Sequence, residues 1–351
     1  MKRTFAVPMF AMLSAALVAG SLSVGGGAAV GASTSEKHYV RVGSFNLVGV
    51  NADTRAHGNQ KTWKKRRARV VHQIMARHLD VLGVQEANQS KIYRKRLTYG
   101  INQYRDLRGA LNRKGGHYAL TNVNAYNCAN PVSTYRCKYK YMGASGDNRI
   151  LYDTRRVALV KAGAMTFSAH AKGKSQRYLA WAILRMKATG RQFLFTTTHL
   201  DPYSVTARKK QWDQMIKKIN SLKGSMPVVA TGDCNTSKYS SYADTYLPRM
   251  KSNGYGDVVN QVPNRNTLNR RRAESVSRAW VNSFNDFRRS AKRFGYGNAR
   301  HKIGNGIDWI FASNWLKVKK WEVVVDINPK TLRVKGTIPS DHCLVRATLV
   351  I

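Results

Sequence analysis

The sequence is poor in acidic residues: 18 Asp and Glu stand against 60 Lys and Arg in 351 residues, which gives a formal net charge of +42. Charges of one sign repel one another and destabilise a compact chain. A polyanionic partner would relieve this repulsion. An exported protein that needs charge only for solubility or for adhesion to a cell wall is the alternative. The imbalance favours the first interpretation, a protein that binds polyanions.

Long apolar runs are missing after residue 32, although one opens the chain. A basic start, "MKR", leads into the stretch "FAVPMFAMLSAALVAGSLSVGG", and "VGA" at Val30 to Ala32 fits the small-residue rule for signal peptidase. The pattern predicts a secretory signal peptide over residues 1–32. The alternative is an uncleaved membrane anchor, which the apolar length nearly permits. We therefore expect a secreted protein with no stable membrane insertion after cleavage.

Cysteine is scarce, and its spacing excludes the usual zinc sites. All four cysteines, Cys128, Cys137, Cys234 and Cys343, lie in the part predicted to be exported, where an even number suggests disulfides. Cys128 and Cys137 close a short polar loop and are the predicted pair. Cys234 and Cys343 could form a second disulfide or remain two buried thiols, and the sequence leaves both possibilities open.

Two segments show the spacing of amphipathic helices, "TWKKRRARVVHQIMARHL" and "SVTARKKQWDQMIKKINSLKG". The apolar stripes are formed by Trp63, Val70, Val71, Ile74, Met75 and Leu79 in the first segment, and by Trp212, Met215, Ile216, Ile219 and Leu222 in the second. The other face of the first segment carries Lys64, Lys65, Arg66 and Arg69, with no acid among them. We therefore expect basic outer surfaces on these helices.

Short apolar runs predict strands between and around these helices. The candidates are "YVRVGSFN", "DVLGVQE", "RILYD", "LAWAILRM", "QFLFTTTH", "MPVVATGD", "IDWIFA", "WEVVVDI" and "CLVRATLV". Several are almost continuously apolar, as in strands that are buried on both faces. A third helix is predicted from Glu274 to Phe294. With no linker or internal repeat after residue 38, we predict one α/β domain over residues 33–351, and a monomer.

Polar residues stand at the ends of six of these runs. They are Asn46, Glu86, His199 with Asp201, Asp233 with Asn235, Asp308, and Asp341 with His342. Strand ends are where sites assemble in α/β folds. Each residue alone is explained as readily by a helix cap or a turn cap. Six such endings in one chain favour a shared site instead.

The ordered set "SFN", "QE", "THL", "GDCN", "IDWIF" and "SDH" resembles the endonuclease/exonuclease/phosphatase superfamily, the DNase I-like metal-dependent phosphoesterases. The resemblance spans residues 39–350. It implies a four-layer α/β/β/α sandwich, in which two packed mixed sheets are flanked by helices and the site lies at one sheet edge. It also implies hydrolysis of phosphate esters with Mg²⁺ or Mn²⁺. Cys234 departs from the pattern, because that position is more often apolar.

Phosphate ester hydrolysis requires a cation on the phosphate oxygens, a base for water, and a proton or charge for the leaving oxygen. Glu86 suits a hard cation, and Asn46 is predicted to help through its amide oxygen or through a bound water. The resemblance implies that Asp341 lies on the same metal side. His342 is predicted to be the base or a phosphate contact, and Asp308 would orient it.

The remaining candidates are expected to contact the substrate or the transition state. Asp233 would align the attacking water or protonate the leaving group, and Asn235 would bond a phosphate oxygen. His199 would stabilise charge in the transition state. Asp201 and Asn148 are predicted to bind substrate.

The charge favours nucleic acid, DNA or RNA, as the substrate, because a basic field steers polyanions toward a site. One alternative is a secreted phosphodiesterase or phosphatase for lipid headgroups or small phosphoesters, such as a sphingomyelinase. The other is a cationic polyanion-binding protein with weak catalysis, which the complete motif set disfavours.

Overall fold

The apolar runs of the sequence pair into two mixed sheets. This computed structural model describes residues 38–55, 57–88, 101–122, 145–237, 241–259, 273–291, 304 and 306–351. Its strands are β1 (Tyr39–Asn46), β2 (Val81–Gln85), β3 (Tyr118–Leu120), β4 (Arg149–Asp153), β5 (Val157–Thr166), β6 (Tyr178–Met186), β7 (Gln192–His199), β8 (Val228–Asp233), β9 (Tyr255–Asp257), β10 (Ala273–Ser277), β11 (Asp308–Ser313), β12 (Val318–Val324) and β13 (Leu344–Val350).

The first sheet has seven strands in the order β10-β12-β13-β1-β2-β4-β3, and the second has six in the order β5-β6-β7-β8-β11-β9. Two parallel pairs lie at the centres of the sheets, β1 with β2 and β7 with β8. The chain from Ser35 to Ile351 forms one compact unit. All nine predicted strands are present, and β3, β5, β9 and β10 are additions to them.

Four helices cover the outer faces of the two sheets in the described residues. They are α1 (Trp63–Met75), α2 (Gln103–Arg113), α3 (Val205–Lys223) and α4 (Ser241–Ser252). The first sheet packs against α1 and α2 through a core that includes Trp63, Leu107 and Phe45. The second packs against α3 and α4 through Trp212 and Met250. No helix among the described residues is long and apolar enough to span a bilayer.

A third core fills the space between the sheets and contains residues such as Val42, Phe195 and Ile310. Helices, sheet, sheet and helices therefore form four layers, and the predicted α/β/β/α sandwich is confirmed. Gly83 in β2 marks a close approach between the sheets. A Cβ atom there would lie 2.5 Å from the hydroxyls of Thr197 and Thr231, so only glycine fits.

The helix predicted from Glu274 to Phe294 is wrong in its described part. Ala273–Ser277 is strand β10, which pairs in parallel with β12, and turns follow it. Arg278, Asp286 and Phe287 have φ angles of 51°, 52° and 50°, which a right-handed helix does not accept. Helices α2 and α4 were not predicted, although Asn102 caps α2 by accepting a hydrogen bond from the Arg105 amide.

The basic face predicted for α1 is only partly at the surface. Lys64 and Lys65 are exposed, but Arg66 is fully buried and Arg69 forms an ion pair with Asp326. The carboxylate of Asp53 caps the start of this helix, because its Oδ2 accepts a hydrogen bond of 2.7 Å from the Trp63 amide. Part of the positive charge of helix α1 is therefore buried or paired within the protein and is not free at the surface.

The cysteine predictions have different outcomes. Cys234 and Cys343 are buried thiols that form no disulfide. Cys128 and Cys137 lie outside the described residues, so their disulfide stays a prediction.

Candidate active site

The polar strand ends meet at one edge of the sandwich because of the strand register. Asn46 ends β1 beside Gln85 of its parallel neighbour β2, so Asn46 and Glu86 lie close together. In the second sheet His199 pairs with Asp233 in parallel register, and Asp308 pairs with Asp233 across an antiparallel ladder. The sequence runs that stop at polar residues thus converge in space, as the topology requires.

A buried carboxylate holds the imidazole of His342. Nδ1 of His342 lies 2.8 Å from Oδ2 of Asp308, and Nε2 lies 3.6 Å from Oδ2 of Asp233. All three side chains are almost completely shielded from solvent. The ring of Phe284 packs edge-on against the imidazole, with 5.0 Å between ring centroids. These contacts fix the orientation of the imidazole and direct Nε2 toward Asp233.

The amide of Asn46 joins two of the acids. Its Nδ2 donates to Oε1 of Glu86 over 3.1 Å and to Oδ2 of Asp233 over 3.0 Å. Its Oδ1 accepts a hydrogen bond from the Val48 amide, which fixes the orientation of the side chain. Glu86 stands just after β2 with a φ of 51°, and its Oε2 accepts from the Gly49 amide. Backbone geometry therefore presents the Glu86 carboxylate at the sheet edge.

His199 lies on the other side of the same carboxylates. Nε2 of His199 is 3.5 Å from Oδ2 of Asp233, and Nδ1 is 4.0 Å from Oε1 of Glu86. Burial lowers the pKa of His199 well below its ordinary value, and the positive charges of Arg177 and His342 lower it further. His199 is therefore a neutral imidazole at neutral pH.

Burial dominates the electrostatics of the acids. It raises the pKa of Asp233 to about 7, with His342 opposing the shift and Asp308 adding to it. Burial also raises the pKa of Asp341 to about 6, and the neighbouring Glu86 charge adds to the rise. For His342 burial acts downward, but the carboxylates of Asp308, Asp233 and Asp341 outweigh it and raise its pKa well above 6.5.

Three predicted site residues make mainly structural contacts. Asn235 has a φ of 45°, donates its backbone amide to Asp233 and donates Nδ2 to the Leu200 carbonyl over 3.0 Å. The carboxylate of Asp201 accepts hydrogen bonds from the backbone amides of 171, 203 and 204. Asn148 is buried and donates Nδ2 to the carbonyl of residue 178. The predicted substrate contacts of Asp201 and Asn148 stay predictions.

The donor set fits a hard divalent cation. Four of the 18 acidic residues of the chain, Glu86, Asp233, Asp308 and Asp341, gather here with the Asn46 amide. Oxygen ligands of this kind are what Mg²⁺ and Mn²⁺ prefer. Among the described residues, ligand atoms of Asp233, Asp308 and His342 lie within 4.8 Å of one another and could also hold a metal ion. His342 already bonds Asp308 and pairs with Asp233, whereas the Glu86 side chain is 38 % exposed and leaves room for metal-bound water.

Several neighbours of the site were not predicted from the sequence. Arg177 precedes β6, and its charge reaches His199. The Ser340 hydroxyl donates to the Asn46 carbonyl over 2.7 Å, and Phe284 covers His342. Arg66 lies directly behind the site. Ser340 is part of the "SDH" motif and could have been singled out, whereas Arg66 stands in a run of basic residues that resembles a surface.

Residues 43–342 match the model of the Endonuclease/Exonuclease/phosphatase family, and the chain belongs to that family. Members of the family are metal-dependent phosphoric ester hydrolases, so the protein is an enzyme of this class. The match covers every residue of the site described above, from Asn46 to His342. No curated protein matches the sequence.

Solved structures of the family share the fold. An endonuclease/exonuclease/phosphatase family protein from Bacteroides thetaiotaomicron is 21% identical with a TM-score of 0.63, over 89% of this chain and 98% of that one. A mannosyl-6-phosphatase from the same organism is 20% identical with a TM-score of 0.61, over 89% and 100%. TDP2 from D. rerio, in complex with a single-strand DNA product, is 14% identical with a TM-score of 0.52, over 89% and 98%.

Proposed function

We propose that this protein is a secreted, metal-dependent nuclease that hydrolyses phosphodiester bonds of DNA or RNA. The observation that carries the proposal is the combination of a buried acid and histidine site with a chain of net charge +42. A nucleic acid backbone is a polyanion, and its binding to Lys and Arg releases counterions. The same surface charge would give little advantage to an enzyme for small neutral or singly charged esters.

Asp308 is the residue that orients His342. Its hydrogen bond to Nδ1 fixes the imidazole with Nε2 toward Asp233, and its charge keeps the ring protonated. A protonated His342 donates a hydrogen bond to a phosphate oxygen and stabilises the negative charge that grows in the transition state. Of the two roles predicted for His342, the raised pKa supports the phosphate contact.

Asp233 is assigned to the attacking water. With a pKa near 7 it accepts a proton readily at neutral pH, and it lies between both histidines. The water oxygen bonds to phosphorus, its proton passes to Asp233, and the bond from phosphorus to the leaving oxygen breaks. The leaving oxygen keeps the electron pair of that bond and takes a proton from solvent. Neutral His199 donates a hydrogen bond to the transition state. Asn235 keeps one amide hydrogen for a phosphate oxygen, because Leu200 takes only the other.

Glu86 and Asp341 would hold the divalent cation through their carboxylates, and Asn46 through the lone pair of Oδ1 that the Val48 amide leaves unused. A bound Mg²⁺ or Mn²⁺ supplies positive charge against the phosphate oxygens, which lowers the barrier to attack. The raised pKa of Asp341 supports this assignment, because a cation would offset the crowding of negative charge between Asp341 and Glu86.

Two neighbours point to different substrates. TDP2 was solved with a single-strand DNA product, which supports nucleic acid. The mannosyl-6-phosphatase supports a second candidate, a phosphatase for small sugar phosphates. The net charge of +42 supports nucleic acid over the sugar phosphate. The predicted signal peptide at residues 1–32 supports secretion, and we propose that the mature enzyme acts as a monomer.

The purified mature protein should be incubated separately with plasmid DNA, structured RNA, mannose-6-phosphate and sphingomyelin vesicles. Each reaction is run with Mg²⁺, with Mn²⁺ and with EDTA. We expect cleavage of DNA or RNA that depends on the cation, and little release of phosphate or phosphocholine from the small and lipid substrates. Efficient hydrolysis of the sugar phosphate or the lipid, with intact nucleic acid, would overturn the nuclease proposal.

A further inference from the structure

Arg66 is a completely buried arginine in the first turn of α1. Its Nη1 donates to the carbonyl of Leu47 and, over 3.0 Å, to the carbonyl of Pro339. Its Nη2 donates to the carbonyl of Val48 over 2.7 Å and lies 3.8 Å from Oδ1 of Asp53. The guanidinium thus bonds three backbone oxygens and one acid without contact with solvent.

These three carbonyls belong to two separate segments of the site. Leu47 and Val48 directly follow Asn46 at the end of β1, and Pro339 stands two residues before Asp341. Pro339 is 273 residues from Arg66 in sequence. The Ser340 hydroxyl forms a second link between the same segments through its bond to the Asn46 carbonyl. Arg66 and Ser340 therefore fasten the Asn46 segment to the Asp341 segment.

The chemistry at this position requires arginine rather than a generic cation. Only the planar guanidinium has several donors in a fixed fork, so one side chain can bond carbonyls on two segments at once. A buried charge is costly unless it is paired and hydrogen-bonded, and Asp53 supplies the pairing. Burial lowers the pKa of Arg66, while the charges of Asp53, Asp341 and Glu86 raise it.

We propose that Arg66 is a positioning residue that holds the Asn46 and Asp341 segments at a fixed separation and so sets how their side chains receive a divalent cation. The inference rests on the proposed assignment of Asn46, Glu86 and Asp341 as ligands. It goes beyond that assignment, because Arg66 touches neither cation nor substrate and acts through two backbone segments.

The test compares three purified variants, Arg66→Lys, Ser340→Ala and Arg67→Lys. Arg66→Lys keeps the positive charge and removes the fork, so it isolates positioning from electrostatics. Ser340→Ala removes the other link, together with the contact of 3.2 Å between its hydroxyl and Oδ1 of Asp341, and leaves Arg66 intact. Arg67→Lys is the matched control, since Arg67 is the adjacent residue of the same helix and forms an ion pair with Asp106 of α2 at 2.7 Å. Thermal unfolding without metal first establishes that each variant is folded.

Mn²⁺ binding is then measured by isothermal titration calorimetry in the absence of substrate. We expect Arg66→Lys to weaken Mn²⁺ binding about tenfold, on the scale seen when residues that orient metal ligands are lost. Ser340→Ala should weaken it about threefold and Arg67→Lys should leave it unchanged. The double variant of Arg66 and Ser340 should lose less than the product of the two single effects, because both links hold the same pair of segments.

Wild-type Mn²⁺ affinity in a folded Arg66→Lys protein would overturn the proposal, as would equal losses in Arg66→Lys and Arg67→Lys. If Arg66→Lys does not fold, Ser340→Ala decides, and unchanged affinity in that variant overturns the proposal. Absence of Mn²⁺ binding in the wild type would have a different meaning, because it would remove the ligand assignment and this inference together.

Discussion

Nδ1 of His342 lies 2.8 Å from Oδ2 of Asp308, although the two residues come from different sheets. His342 stands just before β13 of the seven-stranded sheet, and Asp308 begins β11 of the six-stranded sheet. Their bond thus crosses the interior of the sandwich at its functional edge. The orientation of the imidazole consequently depends on how the two sheets pack.

The first prediction concerns this pair. Asp308→Asn keeps the shape of the side chain but removes the charge that keeps His342 protonated and correctly oriented. We expect kcat on any cleaved phosphodiester to fall by about 10²-fold in Asp308→Asn, and by at least as much in His342→Ala. The double variant should be no worse than His342→Ala, because Asp308 acts through the imidazole. Additive losses would show that the two residues act independently.

The second prediction concerns the metal side. Glu86→Gln preserves the volume of the side chain but removes the negative charge that a hard divalent cation favours. The variant should therefore require about tenfold more Mg²⁺ or Mn²⁺ for half-maximal activity, with much of kcat recovered at saturating metal. Glu274→Gln is the control, because Glu274 is exposed and pairs with Lys319 away from the site. Equal metal requirements in both variants would contradict the role of Glu86.

The sequence predicted which polar strand ends meet in space, because that signal is local. Apolar runs that stop at Asn46, Glu86 or Asp233 are visible in the chain, and parallel pairing must bring such ends together. Arg66 was interpreted as a surface residue because the contacts that bury it are not local in sequence. Its burial depends on the carbonyl of Pro339, 273 residues away, and nothing in the neighbouring sequence encodes that contact.

The error in the described part of the predicted helix, residues 274–291, has a different cause. The segment is polar and rich in Arg and Ser, and it has no strict alternation, so a helix seemed compatible with it. Its structure is set by long-range pairing instead. Ser277 pairs with Glu322 of β12, and Phe284 bridges to His342. Helix α2 could have been found, because Asn102 provides a cap and Tyr104, Leu107 and Leu111 recur at helical spacing.

The third prediction concerns stability and pH at Glu322, which is a residue of strand β12. Its carboxylate accepts hydrogen bonds from Arg77, Arg278 and Arg346 at 3.2, 3.0 and 2.8 Å. Burial acts to raise the pKa of Glu322, but the arginine hydrogen bonds outweigh it and lower the pKa below 4.5. Glu322→Gln should reduce the free energy of unfolding by about 3 kcal/mol at pH 7, near the lower end for a broken buried pair.

The pH dependence follows from the direction of that shift. A folded-state pKa below the unfolded value gives stabilisation that is complete above about pH 4.5 and is lost as pH falls through the folded pKa. Urea unfolding should therefore give a difference in the free energy of unfolding between wild type and Glu322→Gln, and this difference should narrow from pH 7 to pH 3. Glu274→Gln, at an exposed pair, should cost under about 0.5 kcal/mol at every pH. A difference in unfolding free energy that stays constant with pH for Glu322→Gln would contradict the pairing of Glu322 with its arginines.

The fourth prediction concerns the cysteines. Burial raises the pKa of the Cys343 thiol to about 12, so it should not react with a thiol reagent at pH 8 while the protein is folded. Cys234 is equally shielded. Thiol counting should find no fast reaction in the native mature protein and two thiols after unfolding. Four thiols after unfolding would exclude the predicted Cys128–Cys137 disulfide.

The last prediction concerns the exposed lysines at the start of α1, Lys61, Lys64 and Lys65, here called the rim lysines. They lie beside Arg66, whose contacts with Leu47 and Pro339 place this end of the helix at the site edge. Each phosphate contacted contributes roughly −0.7 to −0.9 to the slope of log affinity against log salt. If nucleic acid crosses this edge and contacts several phosphates, the slope should be steeper than about −4. Replacing the rim lysines with Gln should flatten the slope by about 2.

The matched control removes three charges from the opposite end of the sandwich, at Lys187, Arg191 and Lys317. These residues are exposed and stand in the turns that precede β7 and β12, at the ends of the strands away from the site. Their replacement with Gln lowers the net charge by the same amount, so a general loss of charge would flatten both slopes equally. We expect only the rim variant to change the slope, with cleavage of a dinucleotide unaffected, because that substrate is too short to reach the rim lysines. Equal slopes in the two variants would place the nucleic acid elsewhere, and a flat salt response in the wild type would exclude a polyanion as the substrate.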